Sequence, residues 1–384
     1  MLTSGIIKNG TVFTYDETAP VCTDILIMDG RIAAIGNELD GDQLFDAKGY
    51  LVTPALTDLH THIYWGATAL SVRSEDHAIQ SAVGTFVDAG SSGAGNVLGF
   101  EEFIKKPSPL NIFAFLNVSF PGIFGFSKDV MVGEAEDMRL LSKDACVKAV
   151  SRHKDTIVGL KVRAGKLAAG ENGEKALNMA LDWAEELGLP VMCHVDFSPP
   201  DIEYTLNRLR PGDIITHCCR PDPNSIIDDN KVIDAAHRAK ERGVVFDIGH
   251  GMGGFSFDVC AKALADGMAP DVISSDIHCI SVNGPAYDLL TTINKLIALG
   301  MSTEDALEAA TKKPCHIIKR PELGRIRIGD PANISILKPS NEKAELVDAT
   351  GAVLVSNNML RPAGLIAGGQ EIFLGTRKEQ RHAR

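Results

Sequence analysis

The run Tyr50-Leu51-Val52-Thr53-Pro54-Ala55-Leu56-Thr57-Asp58-Leu59-His60-Thr61-His62 starts apolar and partly β-branched and ends in a His-x-His pair. Such a run predicts a short strand. Because successive side chains of a strand face opposite ways, His60 and His62 would share one face, about 6–7 Å apart along the backbone. Two imidazoles in that relation can bind one metal ion, and neutral imidazole is a common zinc ligand. A His-x-His pair also occurs as two ordinary polar residues, so the interpretation depends on further ligands downstream.

The composition is that of a globular protein: of 384 residues, 45% are hydrophobic and 23% charged. The formal net charge of −12 disfavours nucleic acid or an anionic membrane as a partner. Apolar runs stay shorter than the ~18 residues of a membrane span, and the first residues lack signal-peptide features. Eight cysteines are scattered without paired spacing. We therefore expect a cytoplasmic protein with reduced cysteines.

Residues 5–50 form short β segments without an intervening helical period. Asp29-Gly30 lies between the apolar runs Asp24-Ile25-Leu26-Ile27-Met28 and Arg31-Ile32-Ala33-Ala34-Ile35, a pattern typical of a β-hairpin. These segments predict a small β module ahead of the main domain.

From residue 55 to about 300, apolar runs alternate with polar or helical stretches such as 176–187. After the run that ends before His60, the predicted strands cover residues 85–89, 112–118, 157–162, 190–194, 213–217, 244–248 and 272–276. Alternating strands and helices with nearly continuous apolar strands predict an α/β fold with a parallel sheet. Eight such units favour a (β/α)8 TIM barrel over an open doubly wound sheet.

Polar residues follow where the predicted strands end. They are His60, His62, Asp88, Lys161, His194, His217, His250 and Asp276. In a barrel the carboxyl ends of the strands surround one mouth, so residues far apart in sequence would converge there.

A pattern of short strands returns after residue 320, with a turn at Gly329-Asp330-Pro331 and apolar runs at 345–348 and 351–355. We predict that residues 1–54 and 321–384 form a small β-sandwich and that residues 55–320 form the barrel. Residues Thr376 to Arg384 are basic and polar, and we expect them to be loose.

His60-x-His62, Lys161, His194, His217 and Asp276 match, in order and strand assignment, the metal centre of the amidohydrolase superfamily. Nearly the whole chain resembles the dihydroorotase-like members. The motifs 58–66, 86–91 and 246–251 are similar to a subgroup often labelled dihydroorotase or adenine deaminase, which includes deacetylases of small N-acetyl or O-acetyl acids.

The resemblance implies two zinc ions. His60, His62 and Asp276 would hold the more buried ion, His194 and His217 the second, and Lys161 would bridge both as a carbamate. An unmodified ammonium would repel two dications; a buried ion-pair lysine beside a single metal is the alternative. The metals would share a hydroxide, and Asp276 would be the general base and proton carrier. A helix N-cap is the ordinary alternative for Asp276.

Four further residues are candidates for substrate binding. Arg163, two residues after Lys161, could bind a substrate carboxylate through two hydrogen bonds, unless it is a surface arginine. Tyr64 could donate to the carbonyl oxygen of the substrate. His250 and His278 could line the pocket, or serve structural roles.

The resemblance and Arg163 together favour a metal-dependent hydrolase that cleaves an amide or ester, in particular an acetyl group, of a small anionic carboxylate compound. A cyclic amide hydrolase of the dihydroorotase or hydantoinase kind is the alternative. Adenine deamination is less favoured because no residue set suits a purine, and a metal-free scaffold is disfavoured because every ligand position is occupied. We also expect a homo-oligomer.

Overall fold

A parallel sheet of seven strands lies at the centre of the computed structural model, which describes residues 1–15, 19–127 and 129–375. In spatial order the strands are Val245–Asp247, Ile214–Thr216, Val191–His194, Ile157–Arg163, Asn111–Asn117, Val83–Gly93 and Leu56–Thr61. Each strand pairs in parallel with its neighbour in sequence. The predicted mixed α/β fold and its parallel sheet are therefore confirmed.

Helices lie between the strands and after the sheet. The α-helices are Ser74–Ser81, Val97–Phe100, Lys143–Arg152, Lys166–Ala169, Gly173–Leu187, Ile202–Arg208, Asp234–Glu241, Phe257–Ala265, Leu289–Ala298, Thr303–Glu308 and Lys312–Ile317. The longest of them buries Leu177, Leu181 and Ala184 on one face and ends at Gly188, whose φ of 63° is the left-handed conformation common after a helix. Among the described residues, every helix is too short or too polar to cross a membrane.

The predicted eighth strand, residues 272–276, is not a regular strand. Ile248 N donates to Val272 O at 3.0 Å, and Asp276 N donates to His60 O at 2.8 Å. Single parallel bridges join Asp247 to Val272 and Thr61 to Ile277. The φ of 47° at Asp276 interrupts the extended backbone. The segment thus lies between the two outer strands of the sheet and contacts both without forming a continuous ladder.

Both ends of the chain contribute to a second sheet of eight strands. Its strands are Gly5–Val12, Val21–Met28, Arg31–Gly36, Gln43–Asp46, Leu51–Pro54, Ile334–Ser340, Met359–Ala367 and Gln370–Leu374. The hairpin at Asp29 and Gly30 forms as predicted, with φ values of 49° and 75°. Isoleucines and valines such as Ile7, Ile25 and Ile334 form its buried core.

The run that begins at Tyr50 is divided between the two sheets. Leu51–Pro54 pairs with both Gly5–Val12 and Ile334–Ser340, whereas Leu56–Thr61 pairs with Val83–Gly93. At Ala55 the chain passes from the eight-stranded sheet to the parallel sheet.

The tail differs from the prediction in two respects. Ala344–Val347 and Val353–Ser356 pair with each other in a sheet of their own. The strands Met359–Ala367 and Gln370–Leu374 were not predicted. Residues Thr376 to Arg384, predicted to be loose, lie outside the described residues. Two short antiparallel pairs join Gly125–Phe126 to Met131–Val132 and Ile227–Asp228 to Lys231–Val232. Three short segments are 3-10 turns, Met138–Leu140, Gly170–Asn172 and Pro321–Gly324, and Glu101–Lys105 is a π-helical turn.

Candidate metal centre

The carboxyl ends of the parallel strands surround a small cavity of about 40 Å³. Its lining residues are His60, His62, Leu70, Ile123, Phe126, Lys161, Arg163, His194, Asp276 and His278. Of the eight polar strand-end residues predicted to converge, five line this cavity: His60, His62, Lys161, His194 and Asp276. Asp88, His217 and His250 do not line it.

His60, His62 and Asp276 form one cluster of ligand atoms. The Nε2 atoms of His60 and His62 each lie 3.3 Å from Asp276 Oδ1. Nitrogen and oxygen donors at this spacing can hold a metal ion, and all three residues are buried. Asp276 Oδ1 is buried without a hydrogen-bond partner among the described residues. A buried carboxylate oxygen that lacks a partner needs a cation or donor.

His194 and His217 form a second pair beside the first cluster. His194 Nδ1 lies 2.7 Å from His217 Nε2, and the rings meet edge to face. Lys161 Nζ lies 3.2 Å from His60 Nε2. Its side chain passes over Gly90, where a Cβ atom would lie 2.7 Å from Lys161 Cγ.

Burial controls the protonation of these groups. It lowers the pKa of His62 to about 3 and holds the pKa values of His60, His194 and His217 well below the usual range. The four imidazoles are therefore neutral at neutral pH, the form that binds metals. Burial also lowers the pKa of Lys161 to about 8, so that part of its population is a neutral amine.

Hydroxyl groups behind the histidines fix the orientation of the rings. Thr216 Oγ1 donates to Asp247 Oδ2 at 2.7 Å and therefore accepts from His60 Nδ1, which is 2.8 Å away. Ser274 Oγ donates to the other oxygen of Asp247 at 2.6 Å. With its Nδ1 protonated, His60 presents the lone pair of Nε2 to the cluster.

His62 is held in a similar way. Its Nδ1 lies 2.9 Å from Ser91 Oγ. The backbone of Ser91 and that of Ile63 donate to the two carboxylate oxygens of Asp88 at 2.7 and 2.9 Å. The sequence marked Asp88 only as a polar strand end. Serine and threonine partners are too common in any sequence to be recognised as support for a ligand.

Glycine is required where the backbone passes close to the cluster. Gly251 has a φ of 51°, and a Cβ atom there would lie 2.1 Å from Asp276 Oδ2. Gly249 has a φ of 46°, and its Cβ would lie 2.2 Å from Thr216 Oγ1. A side chain at either position would displace a candidate ligand or its support.

Of the four candidate substrate-binding residues, Arg163 and His278 line the cavity and Tyr64 and His250 do not. The Tyr64 hydroxyl donates to Asn96 O at 2.9 Å. His250 Nε2 lies 2.8 Å from Lys295 Nζ, and both residues are buried. Both partners come from later elements that the sequence pattern did not connect to these residues: Asn96 precedes the helix Val97–Phe100, and Lys295 lies in the helix Leu289–Ala298.

Arg163 is buried rather than a surface arginine. Its Nη1 donates to Glu134 Oε1 at 2.8 Å, and its guanidinium carbon lies 4.9 Å from the centre of the Phe126 ring. Glu134 was not predicted, because it belongs to an irregular segment with no periodic pattern.

The donor set fits divalent metal ions. Neutral imidazoles, one buried carboxylate without a partner and a lysine with a lowered pKa converge on one cavity. Imidazole and carboxylate are the ligands of zinc and related ions.

Comparison with known proteins agrees with this geometry. The model of the amidohydrolase family matches residues 51–370. A deacetylase of Agrobacterium fabrum is 36% identical over 91% of this chain and 86% of its own length, and a deacetylase of Brucella anthropi is 35% identical over 93% and 89%. A crystal structure of a dihydroorotase is 33% identical and superposes with a TM-score of 0.90 over 96% of this chain and 98% of its own.

The chain belongs to the amidohydrolase family. It is a hydrolase that acts on C–N bonds, which agrees with the predicted class of a metal-dependent hydrolase of amide or ester bonds.

Proposed function

We propose that this protein is a metal-dependent deacetylase that hydrolyses the amide or ester bond of an acetylated small carboxylate compound. The observation that carries the proposal is the cluster of His60, His62 and Asp276, with an unpartnered carboxylate oxygen, in a cavity that also contains Arg163. Two relatives similar over about nine-tenths of this chain are deacetylases.

We assign two zinc ions to this cavity. His60, His62 and Asp276 would hold one ion, His194 and His217 the other, and Lys161 would bridge them as a carbamate. The lowered pKa of Lys161 supports the carbamate, because only a neutral amine adds to carbon dioxide. When bound, the ions would polarise the substrate carbonyl and lower the pKa of a water molecule.

Asp276 is the proposed general base. Its Oδ1 lies at the centre of the cluster, where it can accept a proton from the attacking water and return it to the leaving nitrogen or oxygen. Thr216 and Ser91 keep the ring orientation of His60 and His62 constant during this transfer.

Arg163 is proposed to bind the substrate carboxylate, and His278, which also lines the cavity, to contact the substrate. A guanidinium offers paired N–H donors that match a carboxylate. An arginine that lines a cavity beside four neutral imidazoles favours an anionic substrate.

The finer architecture is also part of the proposal. Residues 55–320 would form a (β/α)8 barrel in which segment 272–277 closes the ring through its bonds to both outer strands. Residues 1–54 and 321–384 would form the accessory β-sandwich. We further propose a cytoplasmic homo-oligomer; the eight free cysteines agree with a reducing compartment, and sedimentation would measure the assembly.

Zinc-loaded protein incubated with a panel of N-acetyl amino acids and O-acetyl hydroxy acids tests the activity. Release of acetate that depends on zinc and on Asp276 supports the proposal. Dihydroorotate and a hydantoin belong in the same panel, because a dihydroorotase structure superposes well. Turnover of these cyclic amides without acetate release from any other compound would replace deacetylation with the cyclic amide alternative.

Loading the metal-free protein with zinc in the presence or absence of bicarbonate tests the carbamate. We expect bound zinc to decrease when bicarbonate is removed. Equal zinc content in both preparations would contradict the bridging role of Lys161.

A further inference from the structure

We propose that Glu134 is a positioning residue that fixes Arg163 for the carboxylate of the substrate and thereby selects anionic over neutral acetylated compounds. The inference rests on the proposed deacetylase function and names a residue that neither the sequence pattern nor the ligand set indicated.

Glu134 and Arg163 are a buried ion pair at the wall of the cavity. The exposed fraction is 3% for Glu134 and 9% for Arg163, and Glu134 Oε1 accepts from Arg163 Nη1 at 2.8 Å. Glu134 Oε2 is buried without a partner among the described residues. Each charge therefore depends on the other, because a buried charge that loses its partner is strongly destabilised.

Glu134 holds one edge of the Arg163 guanidinium. Phe126 packs against its face, with the guanidinium carbon 4.9 Å from the ring centre. Arg163 Nη1 donates to Glu134, and the guanidinium also lines the cavity. Its remaining N–H groups can therefore donate to a ligand in the cavity. With one edge and one face occupied, the orientation of Arg163 is set before the substrate arrives, which reduces the entropy lost on binding.

The pair also joins two parts of the cavity wall. Arg163 ends the strand Ile157–Arg163, whereas Glu134 and Phe126 belong to the segment that follows the strand Asn111–Asn117. This segment supplies Ile123 and Phe126 to the lining. Loss of the ion pair would release both the guanidinium and this part of the wall, and a substrate carboxylate would lose its fixed partner.

Kinetics with matched anionic and neutral substrates test the inference. For each acetylated acid that the wild-type enzyme hydrolyses, the corresponding carboxamide is measured as well. In Glu134→Gln we expect kcat/KM for the acid to fall about 10-fold, mainly through KM, while the value for the carboxamide changes little. The preference for the acid should therefore shrink by the same factor. Glu134→Asp, which keeps the charge, should retain more of the preference than Glu134→Gln.

Glu136→Gln is the matched control. Glu136 lies in the same segment and is exposed, and its side chain accepts from Gly133 N at 3.0 Å. The substitution Glu136→Gln removes the same charge without changing a contact of Arg163, so the preference for the acid should stay unchanged. Zinc content and the unfolding midpoint of each variant separate a local effect from general loss of structure.

An unchanged preference in Glu134→Gln, with the wild type active on acetylated acids, would overturn the inference while the deacetylase function stands. An equal loss on acid and carboxamide would overturn it as well, because it would mark a merely structural role. A wild-type enzyme that releases acetate from none of the substrates would instead overturn the proposed function.

Discussion

Two cavities lie at opposite ends of the same parallel strands, and they differ in whether a buried aspartate in each has hydrogen-bond partners. The cavity at the carboxyl ends measures about 40 Å³, whereas the cleft at the amino ends, beside Pro190, Asp213 and Val245, measures about 460 Å³. In the larger cleft Asp213 accepts from Val191 N and from the guanidinium of Arg210. In the smaller cavity Asp276 Oδ1 has no partner among the described residues.

The difference shows that chemistry, not size, distinguishes the site. At the amino ends, Asp213 and Arg210 satisfy each other's charge and hydrogen bonds and stabilise the fold. At the carboxyl ends, the buried Asp276 Oδ1 has no hydrogen-bond partner among the described residues, which is costly unless a ligand supplies one. This division agrees with the general placement of active sites at the carboxyl ends of barrel strands.

Substitution of Asp276 by asparagine has the largest expected effect. The amide keeps the shape of the side chain but cannot accept the proton, so kcat should fall about 100-fold or more, with zinc content nearly unchanged. Steady-state kinetics and metal analysis measure both quantities. Near-normal turnover would refute the assignment of the general base.

Acid should destabilise the metal-free protein through its buried histidines. Burial lowers the pKa of His278 to about 4, so the unfolded chain is protonated first as the pH falls below about 6.5. Stability is therefore complete above pH 6.5 and lost towards pH 4. Burial raises the pKa of Asp58 to about 8 and of Asp247 to about 6, and it also raises the pKa values of Asp88 and Asp288; these four carboxyl groups act in the opposite direction. The histidines with lowered pKa outnumber them: His60, His62, His77, His194, His217, His250 and His278.

Denaturant unfolding at pH 7 and pH 5 in a chelator measures this loss. In His278→Asn the loss between the two pH values should be smaller by about 2 kcal/mol, the value for one histidine with this pKa. A variant that loses as much stability as the wild type would show that His278 does not contribute.

Substitution of Asp213 by asparagine should affect stability and not catalysis. The change weakens hydrogen bonds to a buried carboxylate, so the free energy of unfolding should fall by about 1.5 kcal/mol. We expect kcat to stay within about twofold, because the cleft lies at the far end of the strands. A large loss of kcat with unchanged zinc content would break the contrast between the two cavities.

Thr216→Val has the smallest expected effect. It removes the hydroxyl that His60 Nδ1 and Asp247 share, so zinc affinity or kcat should fall about 10-fold. Thr205→Val is the matched control, because Thr205 is equally buried and its hydroxyl donates to Asp201 O within a helix. Equal zinc dissociation rates in the two variants would contradict a supporting role for Thr216.

Periodicity was a reliable guide wherever one strand or helix buries a continuous apolar face. The helix Gly173–Leu187 and the parallel strands follow this rule, as does the hairpin at Asp29 and Gly30. Periodicity failed at residues 272–276, where an apolar run is interrupted by a positive φ at Asp276. Periodicity also missed the strand Met359–Ala367. This segment contains Pro362 and Gly364, which are uncommon inside strands and weaken the strand signal.

The sequence by itself determined the parallel sheet and the family resemblance, because these depend on local periodicity and on the order of motifs. It also determined which polar residues lie at or beside the ends of the strands and of segment 272–276: His60, His62, Lys161, His194, His217 and Asp276. Only the tertiary structure decided which polar neighbours reach the cavity. Arg163 and His278 line it, whereas Tyr64 and His250 are held by Asn96 and Lys295. The physical reason is that a side chain binds whichever partner packing brings within hydrogen-bond distance, and residues as remote in sequence as Glu134 and Arg163 meet only in the folded chain.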